Sequence, residues 1–121
     1  MSDQVRDLAL DIVRVLDDKK AQNVELYHLG SVPNFADYFV IATGTSTTQV
    51  KALADEVEDK MAEKGFKLKH KEGYQTASWI LLNYFEVVVH IFHPEARNFY
   101  NLERLWADVP QVDLEEILKR D

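Results

Sequence analysis

Cysteine is absent from this chain of 121 residues, and so is any apolar stretch long enough to span a membrane. The first absence excludes disulfide bonds and zinc sites built on thiolates. The second, together with the lack of a cationic leader before a hydrophobic run, predicts a cytoplasmic protein. The sequence also lacks internal repeats, low-complexity segments and long linkers, so we expect one domain that buries roughly two-thirds of its unfolded surface.

Positive charge is scarce relative to negative charge. The sequence has 14 Lys and Arg residues against 21 Asp and Glu residues, a formal net charge of −7. Because such a surface repels free nucleic acid, we do not expect direct sequence-specific binding to DNA or RNA. A basic protein is the more favourable partner, since opposite charges attract over long distances.

Apolar residues that recur at spacings of three and four predict three helices and a short helical tail. Hydroxyl and carboxylate side chains precede the first helix, and hydroxyls precede the second, where they are good N-caps. Lys64-Gly65 closes the second helix, and Pro94 begins the third. The expected helices run from residue 2 or 3 to 20, from the polar break at 44–48 to 64, from 94 to 106, and from 113 to 118.

Strand patterns alternate with these helices. The continuous apolar run at 38–43 is typical of a strand covered on both faces, and we interpret it as the central strand. Two later strands joined by the short Tyr84-Phe85 link predict an antiparallel hairpin. The order of elements predicts an α+β fold, a mixed five-stranded sheet flanked by helices. The strands are expected at residues 23–29, 38–43, 66–69, 77–83 and 86–92.

Residues 44–46, Gly-Thr-Ser, lie between a strand and a helix, where backbone N–H groups favour an anion. The segment lacks the glycine spacing and the lysine of a P-loop, so a helix cap is the favoured interpretation. A glycine-serine turn of this kind also occurs in nucleotidyltransferases, whose two-metal chemistry requires two carboxylates spaced two residues apart on a strand. No predicted strand has that pair. A nucleotide-binding enzyme of this type is therefore an alternative interpretation and not the favoured one.

His90 and His93 are the histidines closest together in the sequence. Three residues apart on an extended strand, they face opposite sides of the sheet, which is unsuitable for binding one metal ion. We therefore predict neither a metal site nor a cofactor.

Residues 72–106 have the composition of a recognition surface, because aromatic side chains alternate there with ionisable ones. Period-two geometry places the side chains of each strand on two opposite faces. We interpret the face with the aromatic and ionisable residues as a docking surface, and packing beneath the third helix is the alternative. The strand residues on this face are Trp79, Leu81, Asn83, Val88, His90 and Phe92.

Four motifs carry a resemblance to a known family. They are ADYFVIATGTSTTQV at 36–50, Glu72-Gly73, WILL at 79–82 and VVVHIFHPEARNFYNLERLW at 87–106. With these motifs the chain resembles the bacterial ribosomal silencing factors, also called the iojap-like family, over nearly its whole length. One position departs from the family pattern: the family usually has Asp, any residue, Gly and Asp where this chain has Asn83-Tyr84-Phe85-Glu86.

The resemblance implies a function without catalysis. Members are understood to bind ribosomal protein L fourteen on the large ribosomal subunit, to block subunit joining and to repress translation, and to be homodimers when free. The fold implied is nucleotidyltransferase-like without the catalytic carboxylates, with a domain at residues 1–108 and a helical tail at 109–121. A dimeric protein-interaction scaffold with another partner is a further alternative.

The resemblance also implies which residues contact the partner. Trp79, Phe92 and Tyr100 are expected to be aromatic anchors. The polar members of the set are expected to orient the complex through hydrogen bonds and charge pairs. The full set is Trp79, Leu81, Asn83, His90, Phe92, Arg97, Tyr100 and Glu103.

Overall fold

The computed structural model of the protein describes residues 2–29, 36–100 and 111–114. Within these ranges the predicted order of helices and strands is confirmed. The third helix is described as far as Tyr100, and the rest of its predicted length and most of the predicted tail helix lie outside the described residues. The elements are α1 (Ser2–Asp18), β1 (Gln22–His28), β2 (Tyr38–Thr43), α2 (Thr47–Glu63), β3 (His70–Glu72), β4 (Trp79–Asn83), β5 (Val87–Phe92) and α3 (Pro94–Tyr100).

Local signals at both ends of α2 explain its boundaries. Ser46 has an extended backbone, and its side-chain oxygen accepts a hydrogen bond from the Gln49 N–H. This satisfies one of the free donors in the first turn. At the other end Phe66 N donates to Met61 O over 2.9 Å, and Gly65 N donates to Ala62 O over 3.0 Å. These paired bonds form a Schellman motif, which stops the helix at a left-handed residue.

The five strands form one mixed sheet in the order β1-β2-β5-β4-β3. β2 and β5 are parallel, whereas the other neighbouring pairs are antiparallel, including the predicted β4-β5 hairpin. The interpretation of β2 as the central strand is wrong, because β5 occupies the middle position and β2 lies beside it. Every residue of β2 is nevertheless buried, as its apolar run predicts.

The third strand begins later than predicted. Residues 66–69 were expected to be extended and paired, but β3 comprises His70–Glu72. Phe66 is held by the bond that terminates α2, so pairing cannot begin there. Lys69 N donates to Asn83 O over 2.9 Å, and the ladder with β4 then runs from His70 to Glu72 as a short exposed edge strand.

The two faces of the sheet are covered differently. α1 and α2 pack on one face and form the main hydrophobic core with alternate residues of the inner strands. A smaller cluster lies on the opposite face and includes Phe39, Ile41 and Phe92. Among the described helices, none has the length and apolarity needed to cross a bilayer.

Residues 111–114 lie beside the first strand. Val112 N donates to Leu26 O over 2.8 Å, and Gln111 forms an isolated bridge with Tyr27. The predicted domain boundary after residue 108 falls outside the described residues and stays a prediction.

Candidate docking site

The strand register brings the predicted surface residues together on the face that α1 and α2 leave uncovered. Trp79 lies opposite Phe92, Leu81 opposite His90, and Asn83 opposite Val88. Because paired residues of neighbouring strands point to the same side, these six form one contiguous patch. We call it the docking face: Trp79, Leu81, Asn83, Val88, His90 and Phe92.

Exposure varies across the docking face. Trp79, Leu81 and Asn83 are half-buried, whereas His90 is 4% exposed and Phe92 has no exposed surface. The prediction that the Phe92 ring contacts a partner directly therefore needs correction. The ring stacks on Trp79 with centroids 5.0 Å apart, so it supports Trp79 from within.

Trp79 is fixed by a second interaction, with His90, which no local sequence pattern indicates. Its Nε1 donates to His90 Nδ1 over 3.0 Å, and the two rings are 5.8 Å apart. Trp79 and His90 are diagonal neighbours across the hairpin, so the contact becomes predictable once the register of the two strands is known. The indole is therefore held in one orientation before any partner arrives.

The hydrogen bond from Trp79 also fixes the tautomer of His90. A neutral imidazole that accepts at Nδ1 carries its proton at Nε2. Burial lowers the pKa of His90 from 6.5 to about 4, which keeps the ring neutral near neutral pH. In the part of the chain that the structure describes, the buried Nε2 has no hydrogen-bond partner. One donor on the docking face is thus unsatisfied.

The lowered pKa of His90 makes the protein less stable in acid. The unfolded chain binds a proton on this residue near pH 6.5 and the folded chain only near pH 4, so its contribution to stability is full above 6.5 and is lost as the pH falls toward 4. We expect urea unfolding of wild type to show this loss. The variant His90→Asn removes the titrating group, so an equal loss in the variant would contradict the assignment.

Arg97 was predicted to orient a partner, but its charge is used inside the protein. The residue is 8% exposed. Its Nη1 donates to Thr43 Oγ1 and to Asn23 O, each over 2.7 Å, and its Nη2 pairs with Glu25 Oε1 at 2.9 Å. The acceptors belong to the bulged part of β1 and the end of β2, so Arg97 fastens α3 to the sheet.

Two other predicted residues cannot be assigned a geometry. Tyr100 is the last residue of α3 and Glu103 follows it, and the side chain of the first and all of the second lie outside the described residues. Their roles remain predictions.

Phe85, at the tip of the β4-β5 hairpin, was not predicted as a site residue. It is 66% exposed and has a positive φ of 82°. Asn83 Oδ1 accepts from Phe85 N over 2.7 Å, and Lys69 Nζ lies 3.3 Å from the centre of the ring. In the sequence, only the departure of residues 83–86 from the family pattern, with Phe85 where the family usually has Gly, pointed to this position.

A cavity of about 510 Å³ opens beside the docking face, below the hairpin tip. Its apolar walls include Phe39, Leu81, Val88 and Phe85, and His90 also lines it. The remaining lining residues are Ala36, Lys69, His70, Glu72 and Asn83. The cavity shares Leu81, Asn83, Val88 and His90 with the docking face and gives that face a concave part.

The polar groups of the loop at 44–46 form hydrogen bonds with Gln49 in the first turn of α2. Thr45 N and Thr45 Oγ1 both donate to Gln49 Oε1, over 2.6 and 2.8 Å. Ser46 Oγ accepts from Gln49 N over 3.1 Å. These contacts agree with the helix-cap interpretation rather than with a phosphate cradle.

Among the described residues no group of three His, Asp or Glu side chains is placed to hold a metal ion.

Comparisons with known proteins identify the family. The family described as "Ribosomal silencing factor during starvation" matches residues 2–121. Ribosomal silencing factor RsfS of Halalkalibacterium halodurans is 42% identical over 88% of this chain and 91% of its own length, and that of Bacillus subtilis is 42% identical over 82% and 84%. A crystal structure of a Chromobacterium violaceum protein has a TM-score of 0.82 and 30% identity, covering 85% of this chain and 86% of the other. The chain belongs to the ribosomal silencing factor family.

Proposed function

We propose that this protein represses translation by binding ribosomal protein L fourteen on the large ribosomal subunit and so preventing the small subunit from joining. The family itself consists of ribosome-associated regulators and not of enzymes. The observation that carries the finer proposal is the docking face, where a half-buried Trp79 is held by Phe92 and His90.

A held aromatic side chain is well suited to be a binding anchor. Energetic hot spots in interfaces are enriched in Trp, and they lie in well-packed surroundings. A side chain already fixed in one orientation loses little conformational entropy on binding. Leu81 and Asn83 lie beside Trp79 on the same strand and widen the contact, and we propose that Tyr100 and Glu103 contribute at its margin.

Charge supports a protein partner on the ribosome. The net charge of −7 attracts a basic ribosomal protein and disfavours nonspecific contact with ribosomal RNA. Repression by this route requires only that a domain of 121 residues occupy the surface that the small subunit approaches. Neither turnover nor a cofactor enters the mechanism.

Three further features belong to the proposal. We propose that the protein acts in the cytoplasm, that its fold is a nucleotidyltransferase-like fold without the catalytic carboxylates, and that it is a homodimer when free. Light scattering of the free protein tests the homodimer. Titration with magnesium and a nucleoside triphosphate tests the enzyme alternative, because a true ligand raises the melting temperature by mass action.

Cosedimentation tests the proposed function. Purified protein mixed with separated ribosomal subunits is expected to sediment with the large subunit and to reduce the fraction of joined ribosomes. Sedimentation with neither subunit, or binding that leaves joining unchanged, would refute the proposal.

Trp79→Ala is expected to weaken binding to large subunits by about 30-fold or more, the effect of losing an interface hot spot. The measurement is the concentration of protein at which half of the subunits are bound. Val15→Ala is the control, because Val15 is a half-buried apolar residue of α1 that lines a concavity with Glu56 and Lys60 of α2 instead of the docking face. Equal affinities of the two variants would show that the indole is not the anchor.

A further inference from the structure

We propose that the cavity beside the docking face receives an apolar side chain of the ribosomal partner, and that Phe85 is the residue that makes this contact specific. The inference rests on the proposed function and adds to it the chemistry of the contact. Its basis is the cavity of about 510 Å³, whose walls include Phe39, Leu81, Val88 and Phe85.

The conformation of Phe85 is the first independent observation. A bulky side chain at a positive φ is strained, and a large apolar ring that is 66% exposed gains little from burial. Neither the positive φ nor the exposure of the ring stabilises the free protein, in which Lys69 Nζ lies 3.3 Å from the ring centre. Both become favourable if a partner covers the ring, so they indicate a binding residue rather than a structural one.

The unsatisfied donor on His90 is the second observation. His90 lines the same cavity, and its Nε2 is buried and unpartnered in the described chain. A buried donor without an acceptor is costly, and a partner that supplies an acceptor removes that cost. Because Nε2 is shielded in the free protein, one wall of the cavity has to shift as the partner enters.

The chemistry of the lining selects the occupant. The lining includes the apolar residues Ala36, Phe39, Leu81, Phe85 and Val88, and it has charges of both signs at Lys69 and Glu72, so it favours neither an anion nor a cation. An apolar side chain fits the walls, and the main-chain carbonyl next to it fits the donor. A protein segment supplies both groups together, and the docking face is continuous with the cavity through Leu81, Asn83, Val88 and His90.

Two substitutions of Phe85 test the proposal. Phe85→Ala and Phe85→Gly both remove the ring and are expected to weaken binding to large subunits by about tenfold. Phe85→Gly also relieves the positive φ, so its melting temperature is expected to exceed that of Phe85→Ala. If the ring had only a structural role, Phe85→Gly, as the more stable variant, would bind better than Phe85→Ala. Equally weak binding by both variants, relative to wild type, therefore indicates that the ring itself contacts the partner.

Two substitutions of His90 test the donor. Asn places an oxygen near the position of Nδ1 and keeps an acceptor for Trp79, but it has no donor at the position of Nε2. Gln reaches that position with an amide N–H. We expect His90→Asn to weaken binding by about fivefold and His90→Gln to bind more tightly than His90→Asn.

The outcomes separate the inference from the proposed function. Wild type that does not bind large subunits overturns both. If wild type binds and Trp79→Ala does not, while both Phe85 variants bind within twofold of wild type, the cavity inference alone is wrong. Tighter binding to large subunits by His90→Asn than by His90→Gln would also contradict the cavity inference.

Discussion

Arg97→Ala is expected to lower the free energy of unfolding by about 3 kcal/mol, because it removes the buried member of a partly buried ion pair. The guanidinium makes hydrogen bonds to Glu25, Thr43 and the carbonyl of Asn23. Without it, the buried Thr43 hydroxyl and the carbonyl of Asn23 each lose the donor that they accept from, and the Glu25 carboxylate, whose side chain is 28% exposed, loses its counter-charge. Urea denaturation measures the change.

Two further variants show whether the ion pair carries the effect. Arg97→Lys keeps the charge but not the planar fork, so we expect it to recover only part of the loss. Adding Glu25→Gln to Arg97→Ala is expected to destabilise the protein by less than the sum of the two single changes. A loss below about 1 kcal/mol for Arg97→Ala would contradict the role of Arg97 as the fastener of α3.

Gly73→Ala is expected to destabilise the protein by about 3 kcal/mol, from two causes that add. Gly73 has a φ of +78°, which an L side chain rarely adopts, and a Cβ at this position would clash with the carbonyl oxygen of Trp79. The backbone at the start of β4 must therefore move. Because this movement displaces Trp79, we also expect weaker binding to the large subunit.

Gly65→Ala is a matched control for Gly73→Ala. Gly65 has a similar φ of +88°, but a Cβ there meets no atom within 4 Å. We therefore expect Gly65→Ala to lower the free energy of unfolding by about 1 kcal/mol, because only the strain of a positive φ applies there. Ribosome binding is expected to stay unchanged. Equal losses in urea denaturation for the two variants would show that the contact with Trp79 is not important.

The sequence was sufficient for the order of the elements because their signals are local. The apolar run of β2 and the serine cap of α2 each depend on residues close together in the chain. Period-two alternation likewise placed Trp79, Leu81 and Asn83 on one face, where the register confirms them. Nothing in a local pattern states which strand is central, and that prediction was wrong.

Burial on the docking face could not be predicted because it depends on contacts distant in sequence. Phe92 and Trp79 have the same alternation and similar chemistry, yet only Phe92 is fully buried. Arg97 lies in a segment whose composition suggested a surface, but its acceptors are 54 to 74 residues away along the chain. Sequence patterns therefore located the face but did not distinguish its partly exposed residues from its buried ones.

Site-specific photo-crosslinking tests the central claim, that the docking face meets the large ribosomal subunit. A photoreactive phenylalanine analogue replaces Leu81 on the docking face in one sample and the exposed Ala52 of α2 in the other. After irradiation of each complex with large subunits, mass spectrometry identifies the attached protein. We expect position 81 to be joined to ribosomal protein L fourteen and position 52 to remain unattached. Attachment from position 52 but not from position 81 would contradict the claim.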